Sequence, residues 1–283
     1  MNKVNYVLEP FSRQFIQHTN MHRSAYFLLT SYMKKKVGLI GFGKTGKAVA
    51  NSIILNQQFC LEWVYRQSHL LEMRSVTEYL GIATDEPATV YSATSTGISE
   101  LLDKHPVDFI IDFSSAEGIH TYGESATKRK IKIISAISHY SEKEIDLLHE
   151  LSKSTVVFWS PNITLGVNYL IYAAQHLKKI APWADIEIIE EHFKQKTGLS
   201  GTAVKIAETL DVNKEAINSI RAGGIVGKHE VIFGFPYQTV RLTHESISRE
   251  AFGNGAMFAA QNLLTKDAGF YNFEDILSPY FTA

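Results

Sequence analysis

Residues 37–55 read Val37-Gly-Leu-Ile-Gly41-Phe-Gly43-Lys-Thr-Gly46-Lys-Ala-Val-Ala-Asn-Ser-Ile-Ile-Leu55. A short apolar run, three glycines in G-x-G-x-x-G spacing and apolar positions at helical intervals predict strand, tight turn and helix, in that order. The flanking elements turn a common glycine pattern into a dinucleotide-binding fingerprint. Gly41 permits the turn, Gly43 lets backbone approach a pyrophosphate, and Gly46 lets helix pack on strand. The phosphates then rest on the helix N-terminus, where unpaired N–H groups and the dipole favour an anion. Gly41, Phe42, Gly43, Lys44, Thr45 and Gly46 are therefore the expected phosphate-side contacts. An ordinary strand-to-helix turn is the plainer alternative.

Moving outward, Phe59-Cys-Leu-Glu-Trp-Val-Tyr65 predicts a second strand, with Arg66 at its end. An acidic residue there would favour the ribose hydroxyl of NADH, whereas a basic one accommodates the 2′-phosphate of NADPH. Arg66 thus points to NADPH, with NADH weaker; a solvated strand-end charge is the alternative. Val107-Asp-Phe-Ile-Ile-Asp112, Ile131-Lys-Ile-Ile134 and Val156-Val-Phe158 repeat the buried-strand pattern, each after a helical stretch. Strands alternating with helices predict an α/β, Rossmann-type doubly wound parallel sheet. Ligands of such sheets bind beyond the carboxyl ends of the strands. Ser114, then Ser135, Ala136 and Ile137, then Ser160, Pro161, Asn162 and Ile163 are the expected nicotinamide-side contacts.

The pattern changes after Asn162. Period-two alternation in Asp185-Ile-Glu-Ile-Ile-Glu-Glu-His192 and again around 224–233 and 239–243 predicts a mixed or antiparallel sheet with a helix, a smaller α+β part. Helical spacing returns at 251–264. The expected organisation is a dinucleotide-binding domain over 33–162 and 250–283, and a substrate domain over 163–249. Residues 1–32, with Glu9 as their only acid, lack both this patterning and the layout of a secretory signal, and read as a non-conforming N-terminal extension.

Composition narrows the function. Among 283 residues, 28 Lys+Arg against 29 Asp+Glu leave a net charge of −1, so no basic field is present to hold nucleic acid. No apolar run is long enough to span a membrane. A single cysteine, Cys60, allows no intrachain disulfide and suits the cytoplasm. No H-E-x-x-H occurs and the histidines are scattered, so no metal site is expected.

His192 and Lys196 stand on a polar stretch after a strand, just ahead of Ser200-Gly201-Thr202 and a predicted helix. Hydride delivered to an unsaturated substrate leaves negative charge that His or Lys can quench near neutral pH. Thr202 and the N–H groups beside it can seat a carboxylate. A surface histidine and a plain helix cap are the alternative.

With these motifs, Asp112-Phe-Ser114, Asn162-Ile-Thr-Leu-Gly-Val-Asn168, Glu190-Glu-His192, Ser219-Ile-Arg-Ala-Gly223, Gly227-Lys-His229 and the stretch from His244 through Arg249 to Gly255-Ala256, the chain resembles the dihydrodipicolinate reductases of bacterial lysine biosynthesis. The resemblance runs from about Lys34 onward. It implies NADPH-dependent reduction of a dihydrodipicolinate-type dicarboxylate, with His192 as acid/base residue and Lys196 as proton donor. It also implies a substrate site at residue 193 and Ser200, Gly201 and Thr202, and a homotetramer joined through the C-terminal sheets. The chain departs from the pattern at Phe193, where the family has a second histidine and where phenylalanine can neither donate nor accept a hydrogen bond. It departs again in a shorter loop between Lys196 and Ser200, and in Ser135-Ala-Ile-Ser138, where the family has Gly-Thr-Thr-Gly. These departures keep open a paralogous NAD(P)H-dependent reductase of another imino or amino acid, and a catalytically silent NADP-binding protein.

Overall fold

The computed structural model describes residues 34–281. The extension expected over 1–32 lies outside them. Strands β1 (Lys35–Ile40), β2 (Phe59–Arg66), β3 (Thr89–Ser92), β4 (Phe109–Asp112), β5 (Lys132–Ser135) and β6 (Val156–Trp159) alternate with helices α1 (Lys44–Ile54), α2 (Val76–Leu80), α3 (Ile98–Lys104), α4 (Gly118–Lys128) and α5 (Glu142–Ser152). Then follow α6 (Leu165–Ile180), β7 (Asp185–His192), α7 (Gly201–Thr209), β8 (Ile217–Arg221), β9 (Gly227–Phe235) and β10 (Gln238–Ser246). The chain closes with α8 (Glu250–Leu263), β11 (Gly269–Tyr271) and α9 (Phe273–Leu277).

The large sheet has the order β11-β6-β5-β4-β1-β2-β3, and every pairing in it is parallel. Its strands are apolar on both sides because both sides are covered. Phe109 and Ile111 of β4 enter one layer, formed with α1, α8 and α9, while Ile110 enters the other, formed with α3, α4 and α5. Strand order reverses between β1 and β4, where Phe113 N–H bonds Ile40 O at 2.9 Å; on the other side of β1, Gly41 N–H bonds Tyr65 O of β2 at 2.8 Å. That reversal opens a crevice at the carboxyl ends of the strands. The late helix α8 lies on α1, and the two approach closely because Gly253 faces Ser52, whose hydroxyl donates to Glu250 O at 3.2 Å.

The smaller sheet has the order β10-β9-β7-β8, with β7 and β8 parallel and β9 antiparallel to β7 and β10. Ile188, Val231 and Phe233 on its inner face pack against Leu170, Ala174, Ala203 and Ile206 of α6 and α7. A Rossmann-type sheet plus a smaller mixed sheet is thus the architecture. Strands β3, β8 and β11 were not anticipated: they lack the continuous apolar run that marks β4, β5 and β6, which are just as short. The strand expected from 224 begins at Gly227, because residues 222–226 turn the chain, Ala222 N–H bonding back to His192 O.

Candidate active site

The glycine turn has the geometry its spacing predicts. Gly41 has φ +94°, and a Cβ there would meet the Phe113 carbonyl at 2.8 Å. A Cβ on Gly46 would fall 2.3 Å from Gly41 O, while one on Gly43 meets nothing within 4 Å. The first and third glycines are required by contact; the second faces open space. Within α1 the first ladder bond is Lys47 N–H to Gly43 O, so the amides of 44–46 have no intrahelical acceptor. No acidic residue sits in that first turn. This cradle opens on a cavity of about 630 Å³ lined by Gly41, Phe42, Gly43, Arg66, Ser114 and Ser115, among others. Arg66 is fixed at its rim by a 2.9 Å bond from Nη1 to Leu70 O. A dinucleotide fits this site by cradle, helix end and basic rim. The Lys47 ammonium bonds the Tyr79 hydroxyl and lies over the rings of Tyr79 and Phe42.

Beneath the cradle, Asp112 is wholly buried. Burial pushes its pKa up to about 6, against hydrogen bonds from Ser114 and Tyr122 that favour the charged form. Its Oδ1 accepts from Ser114 N–H and Oγ–H at 2.8 and 2.6 Å, which fixes the loop that walls both this cavity and the next.

A second cavity, of about 500 Å³, continues along the carboxyl edge and is lined by Thr45, Ser114, Ala136, Ile137, Pro161 and Ile163. All but Thr45, expected on the phosphate side, are predicted nicotinamide-side residues. Ser135 is not with them: its hydroxyl is buried and bonded to Tyr140 Oη at 2.8 Å. Ser160 is likewise buried, its Oγ donating to Asn162 O at 2.7 Å. Both shape the loops without presenting a side chain to the cavity.

The predicted proton-bearing residues lie at the end of β7. His192 is buried, and its Nδ1 bonds Glu190 Oε2. Glu190, with no exposed surface, also accepts from Ser219 Oγ at 2.5 Å and from Arg221 Nη2. Burial works against the charge on Glu190, but the donors from Arg221, Ser219 and His192 outweigh it and hold the pKa at about 2. Burial pushes His192 below its ordinary value, Glu190 opposes this, and Lys196 and Arg221 add to it. Arg221 also braces the following loop, donating from Nε to Lys196 O at 3.1 Å and from Nη2 to Gly198 O at 2.6 Å. Lys196 is half-buried on that loop.

Ser200 caps α7, accepting from Ala203 N–H at 3.2 Å, and its Oγ lies 2.9 Å from His229 Nε2. Burial drives His229 down to about 3, so its ring is neutral here. Thr202 donates its hydroxyl to Asn162 Oδ1 at 2.5 Å. The hydroxyl expected on a carboxylate is thus spent on a neighbouring loop, while the amides of Gly201 and Thr202, in the first turn of α7, have no intrahelical acceptor. That bond joins the first turn of α7 to the segment at the end of β6. Glu190, Ser219, Arg221 and His229 received no role from the sequence; the signal that could have found them is the inward parity of 190, 192, 227 and 229 on their strands.

Comparison with known proteins follows this layout. Residues 35–163 match the family model for the N-terminus of dihydrodipicolinate reductase, and residues 163–277 match that for its C-terminus. A 4-hydroxy-tetrahydrodipicolinate reductase of Caldanaerobacter subterraneus subsp. tengcongensis is 35% identical over 196 residues, covering 62% of this chain and 78% of that protein. Another, from Buchnera aphidicola subsp. Schizaphis graminum, is 29% identical over 282 residues, covering 88% and 100%. Among solved structures, dipicolinate-bound dihydrodipicolinate reductase from Paenisporosarcina sp. TG-14 superposes with a TM-score of 0.69 at 20% identity, covering 85% of this chain and 98% of that one.

Proposed function

Because the chain belongs to the dihydrodipicolinate reductase family, we propose that His192 and Lys196 are its proton-carrying residues and that NADPH is its preferred reductant. The chain is an NAD(P)H-dependent oxidoreductase of lysine and diaminopimelate biosynthesis, carrying out the 4-hydroxy-tetrahydrodipicolinate reductase step. The observation that carries the site assignment is the Thr202–Asn162 hydrogen bond. It ties the first turn of α7, which follows the end of β7 and its loop, to the segment after β6, and this supports a substrate bound between His192, Lys196 and the dinucleotide cradle.

Residues 33–162 with 250–283 serve in this reading as the dinucleotide-binding part, and 163–249 as the substrate and assembly part. Gly41 to Gly46 hold the pyrophosphate, Arg66 the 2′-phosphate, and Ala136, Ile137, Pro161 and Ile163 wall the nicotinamide half. The bound cofactor supplies a hydride to the unsaturated ring of the substrate. Lys196 then delivers the matching proton to the atom where charge develops, and His192, backed by Glu190, works as acid/base beside it. One substrate carboxylate sits on the Gly201 and Thr202 amides, where the helix end favours an anion; that the solved relative from Paenisporosarcina holds dipicolinate, a ring with two carboxylates, supports this. The open face of the smaller sheet, carrying Ile189, Ile220 and Ile232 among charged neighbours, supports assembly into a homotetramer. The single cysteine, Cys60, suits a reducing compartment, and on that ground we place the enzyme in the cytoplasm.

Arg66→Ala tests the cofactor. Losing a charge-assisted phosphate contact costs about 1.5 to 3 kcal/mol, so NADPH binds about tenfold weaker or worse while NADH is nearly unaffected. Equal losses for both in a titration would reject the assignment. Phe193→His tests the substrate, with NADPH oxidation followed by absorbance in the presence of enzymatically generated dihydrodipicolinate precursor. Restored hydrogen bonding lowers KM if the pocket is built for that dicarboxylate. A different imino acid, which the apolar Phe193 favours as a second reading, predicts a neutral or harmful outcome.

A further inference from the structure

We propose that Glu190 and Gly227 together position His192, the carboxylate fixing which ring nitrogen carries the proton and the absent side chain giving the ring its place. The proposal rests on the reading of His192 as an acid/base residue.

Glu190 and His192 are two apart on β7 and project to the same inner face. Their partners on β8 are in register, Ser219 opposite Glu190 and Arg221 opposite His192. Glu190 Oε1 takes both β8 donors, and Oε2 takes His192 Nδ1. An ionised carboxylate only accepts hydrogen bonds, and the Arg221 guanidinium beside it keeps it ionised. The hydrogen in the Glu190–His192 bond therefore belongs to Nδ1. Nε2 is left as the nitrogen that takes up or gives away a proton.

The second half of the device is on β9. The His192 ring lies over Gly227: a Cβ built there would fall 3.1 Å from Nε2 and 3.5 Å from Cδ2. Gly227 does not have the left-handed backbone that demands glycine, so what it contributes is space. The ring cannot drift away from an added methyl, because its other nitrogen is tied to a fully buried carboxylate. The charged and titratable groups around the ring are Glu190 on its own strand, Arg221 on β8, His229 on β9 at a centroid distance of 5.3 Å, and Lys196 on the next loop. Glu190 is the one anion among them.

Glu190→Gln makes a sharp test. Ser219 and Arg221 are donors and claim the single amide oxygen, so the amide NH₂ turns to Nδ1 and donates to it, which forces the ring proton onto Nε2. Long-range ¹H–¹⁵N NMR on the full chain labelled at histidine, with His192 assigned from His192→Ala, reads this without turnover. We expect the Nδ1–H tautomer in the wild type and the Nε2–H tautomer in Glu190→Gln. The titration midpoint of His192 should fall by about 1 to 3 pH units once the neighbouring charge is gone. Glu190→Gln and Gly227→Ala should each lower kcat at least about tenfold with a smaller change in KM. Neither should lower it further in a His192→Ala background, because effects that pass through one residue do not add. An unchanged tautomer and midpoint in Glu190→Gln, or losses that add on His192→Ala, would overturn the proposal. Gly227→Ala, whose backbone tolerates alanine, keeps the kinetic arm readable if Glu190→Gln folds poorly. A wild type inert toward dihydrodipicolinate would reject the proposed substrate, while the NMR arm still decides the roles of Glu190 and Gly227.

Discussion

His192→Ala lowers turnover by about 10² to 10⁴, the range that general acid–base catalysis supplies, with little change in KM. The expectation follows from where the ring sits. His192 is buried, held at Nδ1 by Glu190, and pushed below its ordinary pKa chiefly by that burial. A ring so held is costly to keep for packing alone, and alanine removes its proton-carrying nitrogen without touching the carboxylate seat. Lys196→Ala should give a loss of the same kind, since Lys196 is carried on the loop that Arg221 braces through Lys196 O and Gly198 O. The contrast is Thr202→Val. A seat that binds ground state and transition state equally changes KM more than kcat, and here the lost hydroxyl also releases Asn162. Steady-state kinetics separate the two patterns. Wild-type turnover surviving in both His192→Ala and Lys196→Ala would refute the acid/base assignment.

What could be read from sequence, and what could not, divides along a physical line. The glycine turn was legible because its constraints are local: Gly41 needs a positive φ and Gly46 a close approach within five residues. Arg66 was legible because strand length sets where the second strand ends. The Glu190 network was not, since it depends on register between strands: Ser219 and His229 lie opposite Glu190 only once β8 and β9 have paired with β7. Ser135 shows a second limit. In a parallel sheet covered on both faces, no polar alternation marks which way a residue points; Ser135 is buried against Tyr140, whereas its neighbour Ala136 reaches the cavity. Thr202 shows a third, because its use as donor to Asn162 depends on two segments forty residues apart.

Gly255→Ala should destabilise the protein even though alanine is the better helix former. Gly255 lies within α8, and a Cβ there would fall 1.7 Å from Ile163 O, 2.8 Å from Ile163 C and 3.0 Å from Thr164 Cα. All three atoms are backbone, so no side-chain rotation can relieve the clash. The helix must back off or residues 163–164 must move. Alanine gains about 1 kcal/mol in helix propensity, but overpacking of this kind costs about 3 kcal/mol. The net loss of about 2 kcal/mol lowers Tm by about 4 to 8 °C in a chain of this size. The damage reaches the site as well. Ile163 walls the cavity on the nicotinamide side, and Asn162 before it receives the Thr202 hydroxyl, so a displaced 162–164 segment should also raise KM for the nicotinamide cofactor. Gly97→Ala is the control: Gly97 precedes α3 with φ −68°, and a Cβ there meets nothing within 4 Å. Calorimetry should show Gly97→Ala melting close to wild type and Gly255→Ala well below it. Equal melting of the two variants would mean that α8 does not approach the 163–164 backbone as closely as the structure has it.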